Sequence, residues 1–118
     1  MKDKRKNGIG MKFALNGLKE AFLRERNFRI HLYIALIIVI ISFYFKLSNI
    51  EWMFIISMIS LVLLSELINS LIERLIDYLK PEIHPQAKII KDISAAVVLI
   101  SAITSVVIGF IIFIPKIF

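Results

Sequence analysis

The run Ile93-Ser94-Ala95-Ala96-Val97-Val98-Leu99-Ile100-Ser101-Ala102-Ile103-Thr104-Ser105-Val106-Val107-Ile108-Gly109-Phe110-Ile111-Ile112-Phe113-Ile114 contains no charged residue. As an α-helix it would span about 33 Å, enough to cross the roughly 30 Å hydrocarbon core of a bilayer. Two further apolar segments precede it. The first, 30–45, is interrupted only by His31 near its start; the second, 50–79, is apolar through its first half apart from Glu51 and then turns polar. With 58% hydrophobic residues and a mean hydropathy of +0.82 over 118 residues, the chain reads as an all-α integral membrane protein. Its expected spans are about 30–46, 50–79 and 86–114, within a single domain 1–118 that leaves no room for a separate soluble unit. There is no cysteine, which excludes disulfides, thiolate metal sites and cysteine nucleophiles.

The fifteen cations set the expected orientation. Nine lie before or at the start of the first span, four lie around the second connection, and only Lys46 and Lys116 remain for the opposite face. The positive-inside rule then places the N-terminus and the 79–90 loop in the cytoplasm of a cell membrane, with the 46–51 loop and the C-terminus outside. The net charge of +6 reads as topology and attraction to anionic headgroups. No base-reading motif accompanies it, so nucleic acid is not an expected partner.

The basic N-terminal stretch is followed by more charge and lacks a small-residue cleavage site, so it reads as retained and not as a signal peptide. Between positions 11 and 28, Met11, Ala14, Leu15, Leu18, Ala21, Phe22 and Phe28 recur at helical spacing, with Lys12, Lys19, Glu20 and Arg26 between them. This predicts an amphipathic helix over about 11–28 lying on the membrane surface, weakened by Gly8, Gly10 and Gly17. In the second connection, Pro81 and Pro85 stop one helix and start the next.

The second half of the middle span carries the chemistry. In Glu66-Leu67-Ile68-Asn69-Ser70-Leu71-Ile72-Glu73-Arg74-Leu75-Ile76-Asp77, an advance of about 100° per residue brings Glu66, Asn69, Glu73 and Asp77 within roughly 80° of one another, as one polar stripe. An ionised carboxylate near the bilayer centre costs about 2.5–3.5 kcal/mol on insertion scales, so the stripe requires partners or a task. Glu73 and Asp77 lie near the membrane surface, where hard oxygen ligands suit a magnesium ion that keeps several waters. Glu66, about 10 Å deeper along the axis, lies in a drier place suited to accepting a proton. Asn69 can hydrogen-bond a carboxylate or a substrate hydroxyl. Opposite them, Lys91 and Asp92 open the third span at the depth of Glu73 and Asp77, with small Ser94, Ala95 and Ala96 beyond. A lysine there can neutralise phosphate. A glycine-rich phosphate loop and a protein-kinase signature are both absent, so phosphates would be held by metal and basic side chains. Three alternatives remain open on the residues alone. The stripe could pair with Arg74 and Lys91 merely to hold helices together, a small multidrug-type transporter could use a membrane glutamate, or the chain could be a non-enzymatic accessory protein.

The pattern E-x-x-N-[ST]-x-[IL]-E-x-x-x-D over 66–77, followed by His84 and by Lys91-Asp92-Ile93-Ser94-Ala95-Ala96, with Glu25-Arg26-Asn27-Phe28-Arg29 upstream, resembles the prokaryotic diacylglycerol kinase family. The Arg-Asn-Phe-Arg-Ile-His start of the first span is similar to the Gram-positive branch of that family, associated with undecaprenol kinase activity. The resemblance implies a homotrimeric lipid kinase that moves the ATP γ-phosphate to a lipid hydroxyl, undecaprenol or else diacylglycerol. It further implies Glu66 as general base with Asn69 beside it, and Glu25 and Glu73 as ligands of Mg2+. It places Lys6, Phe13, Glu25, Glu73, Asp77, Glu82, His84, Lys91 and Asp92 around the nucleotide, and Phe28, Ala95 and Glu66 at the lipid substrate.

Overall fold

The computed structural model describes residues 10–80 and 84–118. Among them the fold is all-helical: α1 (Gly10–Arg24), α2 (Arg26–Tyr44), α3 (Asn49–Leu79) and α4 (Pro85–Ile117). Helices α2, α3 and α4 are each long and apolar enough to cross a membrane, and α1 is a mostly exposed amphipathic helix in front of them. α3 is the shared wall, packed most extensively on α4 and also on α2.

The surface helix stops four residues earlier than the hydrophobic spacing predicts. Glu25 takes an extended conformation (φ −107°, ψ 105°) and separates α1 from α2, so Phe28 belongs to the spanning helix. The break is supported from the far side: the Arg29 guanidinium donates to the carbonyls of Phe22 (2.8 Å) and Leu23 (3.1 Å), which the end of α1 leaves without helical partners. α1 runs through Gly17 without interruption, and a methyl group there would meet nothing within 4 Å.

The α2–α3 connection is tightly specified. Lys46 adopts a left-handed conformation (φ 52°), and the N–H of Leu47 reaches back to the Ser42 carbonyl (3.4 Å), closing the end of α2. Ser48 and Glu51 then form a reciprocal capping box at the start of α3. Glu51 also meets Lys116 at 3.1 Å, fastening the start of α3 to the end of α4. Beside this latch, Leu47, Ile55 and Ile112 form the buried apolar cluster, flanked by Phe45, Trp52 and Phe113. α4 continues past Ile114 through Pro115 to Ile117, about one turn beyond the expected end of the span.

Away from that apolar cluster much of the interior is small or polar, whereas most of the large aliphatic side chains face outward. Ser42, Ser65, Ser70, Ser94, Ser101 and Glu66 are buried, while Leu36, Ile40, Leu64, Leu99 and Ile111 are among the many large exposed residues. In lipid there is no hydrophobic force between helices, and small side chains that let backbones approach are what an interface requires. Ser42, Ser65 and Ser101 satisfy themselves locally, as Ser65 does by donating to the Val62 carbonyl at 2.8 Å. Ser65→Leu should therefore destabilise the bundle by about 1–3 kcal/mol through overpacking, whereas Ser65→Ala should be close to neutral. Thermal unfolding followed by circular dichroism in mild detergent would separate the two.

Candidate active site

Counted from Asn49, about 20 residues of α3 suffice to cross the hydrocarbon layer, which brings the bilayer edge close to Asn69. Glu66 thus sits just inside the apolar region, and Glu73 and Asp77 rise beyond it on the end of the bundle that carries α1. Glu66 is 3% exposed. Its Oε1 lies 3.1 Å from Nε2 of His31, which enters from the second turn of α2. Glu73 and Glu25 both lie within electrostatic reach of Glu66. Glu66 and His31 are thus a contacting pair, with the carboxylates of Glu73 and Glu25 near enough to be felt electrostatically.

The Glu25 side chain makes no capping hydrogen bond to α2. Its Oε1 accepts from Nε of Arg74 at 3.1 Å, and the same guanidinium approaches Glu20 at 3.6 Å. Arg74 is the polar clasp between α1 and α3. Beside it a cleft of about 550 Å³ separates the two helices, with Glu20, Glu25 and Arg74 on its polar side and Ala14, Leu18 and Leu67 on its apolar side.

Between the deep and shallow ends of the stripe, the Ser94 hydroxyl donates to Oδ1 of Asn69 at 2.7 Å and ties α4 to α3. One turn further out, Lys91 of α4 donates to Oδ1 of Asp77, a second tie. These contacts match the helix-pairing role open to the stripe from sequence, and they also fix Lys91 beside it. Asp92 points elsewhere: it pairs with Lys88 of its own helix at 2.6 Å, on an exposed face.

The remaining expected site residues fall in different places. His84 caps α4, its Nδ1 accepting from the Gln86 N–H at 3.1 Å, so a structural task occupies that nitrogen. Phe13 lies on the exposed α1. Phe28 is buried three residues before His31, whereas Ala95 is exposed on α4. Lys6 and Glu82 lie outside the described residues.

His31 is the site residue that sequence reasoning passed over. It registered as an interruption of the first span and as the last residue of the Arg-Asn-Phe-Arg-Ile-His string, with no role assigned. The available signal was that a titratable side chain just inside an apolar helix needs a partner, and a buried carboxylate at matching depth is one. His31 also forms the head of an apolar groove of about 380 Å³ between α2, α3 and α4, whose walls include Ile38, Ile59, Val106 and Phe110.

A carboxylate buried at the bilayer edge, a groove opening beside it and further carboxylates and a lysine toward the water form the geometry of an integral membrane enzyme working at the bilayer surface. Comparison with known proteins defines the class more closely. Residues 12–113 match the prokaryotic diacylglycerol kinase family. The chain is 40% identical over 103 residues to the undecaprenol kinase of Bacillus subtilis (strain 168), covering 87% of this chain and 84% of that protein. It is 36% identical over 103 residues to the diacylglycerol kinase of Haemophilus influenzae, covering 86% of this chain and 87% of that protein. With the diacylglycerol kinase of Escherichia coli (strain K12) it shares 32% identity over 95 residues, covering 80% and 78%. The chain belongs to the prokaryotic diacylglycerol kinase family and is a lipid kinase.

Proposed function

We propose that the protein transfers the γ-phosphate of ATP to the hydroxyl of undecaprenol, giving undecaprenyl phosphate, with the whole chain 1–118 acting as one lipid kinase domain. The observation that carries this reading is the position of Glu66: buried, at the hydrocarbon edge, beside the head of an apolar groove. A lipid alcohol delivers its hydroxyl to that depth, and ATP delivers its phosphates to the shallower Glu73, Asp77 and Lys91. Undecaprenol is favoured by the 40% identity to the Bacillus subtilis undecaprenol kinase. The Haemophilus influenzae diacylglycerol kinase at 36% identity supports the second reading, diacylglycerol as acceptor.

The donor set fits Mg2+. Among the described residues no group of three metal-binding side chains forms, but Mg2+ commonly takes only one or two carboxylates and completes its shell with water and substrate phosphates. Glu25 and Glu73 would hold it. When bound there, it would supply charge neutralisation to the nucleotide's phosphates. Glu66 orients the acceptor hydroxyl and takes its proton as the new O–P bond forms and the bond from the γ-phosphorus to the β,γ-bridging oxygen breaks, leaving ADP. Lys91, held by Asp77, stands where phosphate charge would collect. Glu25 is held through Oε1 by Arg74, and its other oxygen would be the one offered to the metal.

One chain of this size offers few walls around a nucleotide, which supports a homotrimer with the site completed between copies. The distribution of cations supports a cell-membrane protein with its N-terminus and active site in the cytoplasm.

The test is magnesium-dependent transfer of labelled γ-phosphate by the purified protein in mild detergent. Undecaprenol should be labelled in preference to diacylglycerol. The opposite preference would move the protein to the second reading, and no labelling of either lipid would refute both.

A further inference from the structure

We propose that His31 is the positioning residue of the Glu66 base, holding one carboxylate oxygen so that the other faces a hydroxyl at the head of the apolar groove; this rests on the lipid kinase reading above. Three observations converge on it. Nε2 of His31 and Oε1 of Glu66 are 3.1 Å apart, and Glu66 is 3% exposed, so this contact is made where water competes little. Among the described residues, the carboxylates felt by Glu66, Glu73 from α3 and Glu25 from the α1–α2 break, carry the same sign as its own. Those two neighbours repel the Glu66 carboxylate, and the imidazole of His31 is the partner that opposes them. His31 also lines the apolar groove, so one ring touches both the base and the space along which an alcohol's apolar chain would lie.

The ring is well suited to the task. An imidazole has only two side-chain torsions and is anchored in a packed helix, so its N–H direction is nearly fixed. Bonding Oε1 leaves Oε2 to accept the alcohol proton. A reacting geometry displaced by about 1 Å can cost on the order of a hundredfold in rate, and a buried carboxylate without its donor is free to turn by that much. His31 takes no proton from the substrate in this scheme; it acts through Glu66.

That dependence gives the inference a test which simple destabilisation would not pass. In the full-length protein, His31→Leu should lower kcat for lipid phosphorylation roughly 10- to 100-fold while leaving KM for ATP unchanged. His31→Gln, whose amide N–H can reach the same oxygen, should recover most of the loss. His31→Asn keeps a polar group but is too short to reach, so it should behave like His31→Leu and serves if the leucine variant does not fold. Because His31 works through Glu66, the double variant His31→Leu/Glu66→Gln should be no slower than Glu66→Gln alone. Native kcat in both His31→Leu and His31→Asn would overturn the inference, as would a double-variant loss equal to the product of the single losses. A native protein that labels neither lipid would instead remove the kinase reading on which the inference stands.

Discussion

Glu66→Gln should lower kcat by roughly 10²–10⁴-fold, the range typical of losing a positioned general base, while KM for ATP stays within about twofold of native. The substitution is nearly isosteric, and the glutamine carbonyl can still accept from Nε2 of His31, so the 3.1 Å contact and the packing around it survive. What disappears is the ability to take the alcohol proton. ATP affinity should be spared because, in the proposed reaction, the nucleotide meets the shallow carboxylates on the outer turns of the stripe. Folding should not suffer, since removing a charge from the edge of the hydrocarbon region relieves a cost of about 2.5–3.5 kcal/mol on insertion scales. Steady-state kinetics with undecaprenol, combined with direct nucleotide titration and a melting curve, give the three readouts.

Glu73→Gln should fail differently. Glu73 is half-buried and within electrostatic reach of Glu66, and in the proposed reaction it shares Mg2+ with Glu25. Losing its charge should weaken MgATP binding and reduce turnover at least about a hundredfold at millimolar magnesium, since a metal's charge stabilisation is worth several kcal/mol. Raising magnesium should restore part of the loss, which it should not do for Glu66→Gln. The two variants together are diagnostic: one spares nucleotide affinity and ignores magnesium, and the other loses affinity and responds to it. Equal loss of nucleotide affinity in both would contradict the division between a deep base and shallow metal ligands.

The features legible in the sequence are those carried by a single period. Three apolar runs gave three spanning helices, and the helical spacing of Glu66, Asn69, Glu73 and Asp77 placed them on one face of α3 before any neighbour was known. Features that depend on contact between distant segments were not legible. Nothing in Arg24-Glu25-Arg26 marks a helix break, because no glycine or proline stands there and the break is stabilised by Arg29 reaching back to the Phe22 and Leu23 carbonyls. The His31–Glu66 contact joins residues of different helices, and a periodicity reports which face a side chain occupies but not what lies opposite. The same limit explains Asp92 and Ala95. Both share a motif with Lys91 and Ser94, yet Lys91 and Ser94 meet α3 while Asp92 and Ala95 are exposed.

The serine-lined interior has a thermodynamic consequence. The stability curve of a water-soluble domain is bent because unfolding wets apolar surface, which raises the heat capacity by about 0.45 cal/K/mol per Å². Here most of the large aliphatic groups already face outward, and apart from the small Leu47–Ile55–Ile112 cluster many of the groups hidden between helices are hydroxymethyls. Pulling these helices apart within a bilayer exchanges contacts between helices for contacts with lipid and brings little new surface to water. Calorimetry in a bilayer should therefore find a heat-capacity change for helix separation near zero. The free energy of assembly should fall almost in a straight line as temperature rises, without the cold-side decline that limits soluble proteins.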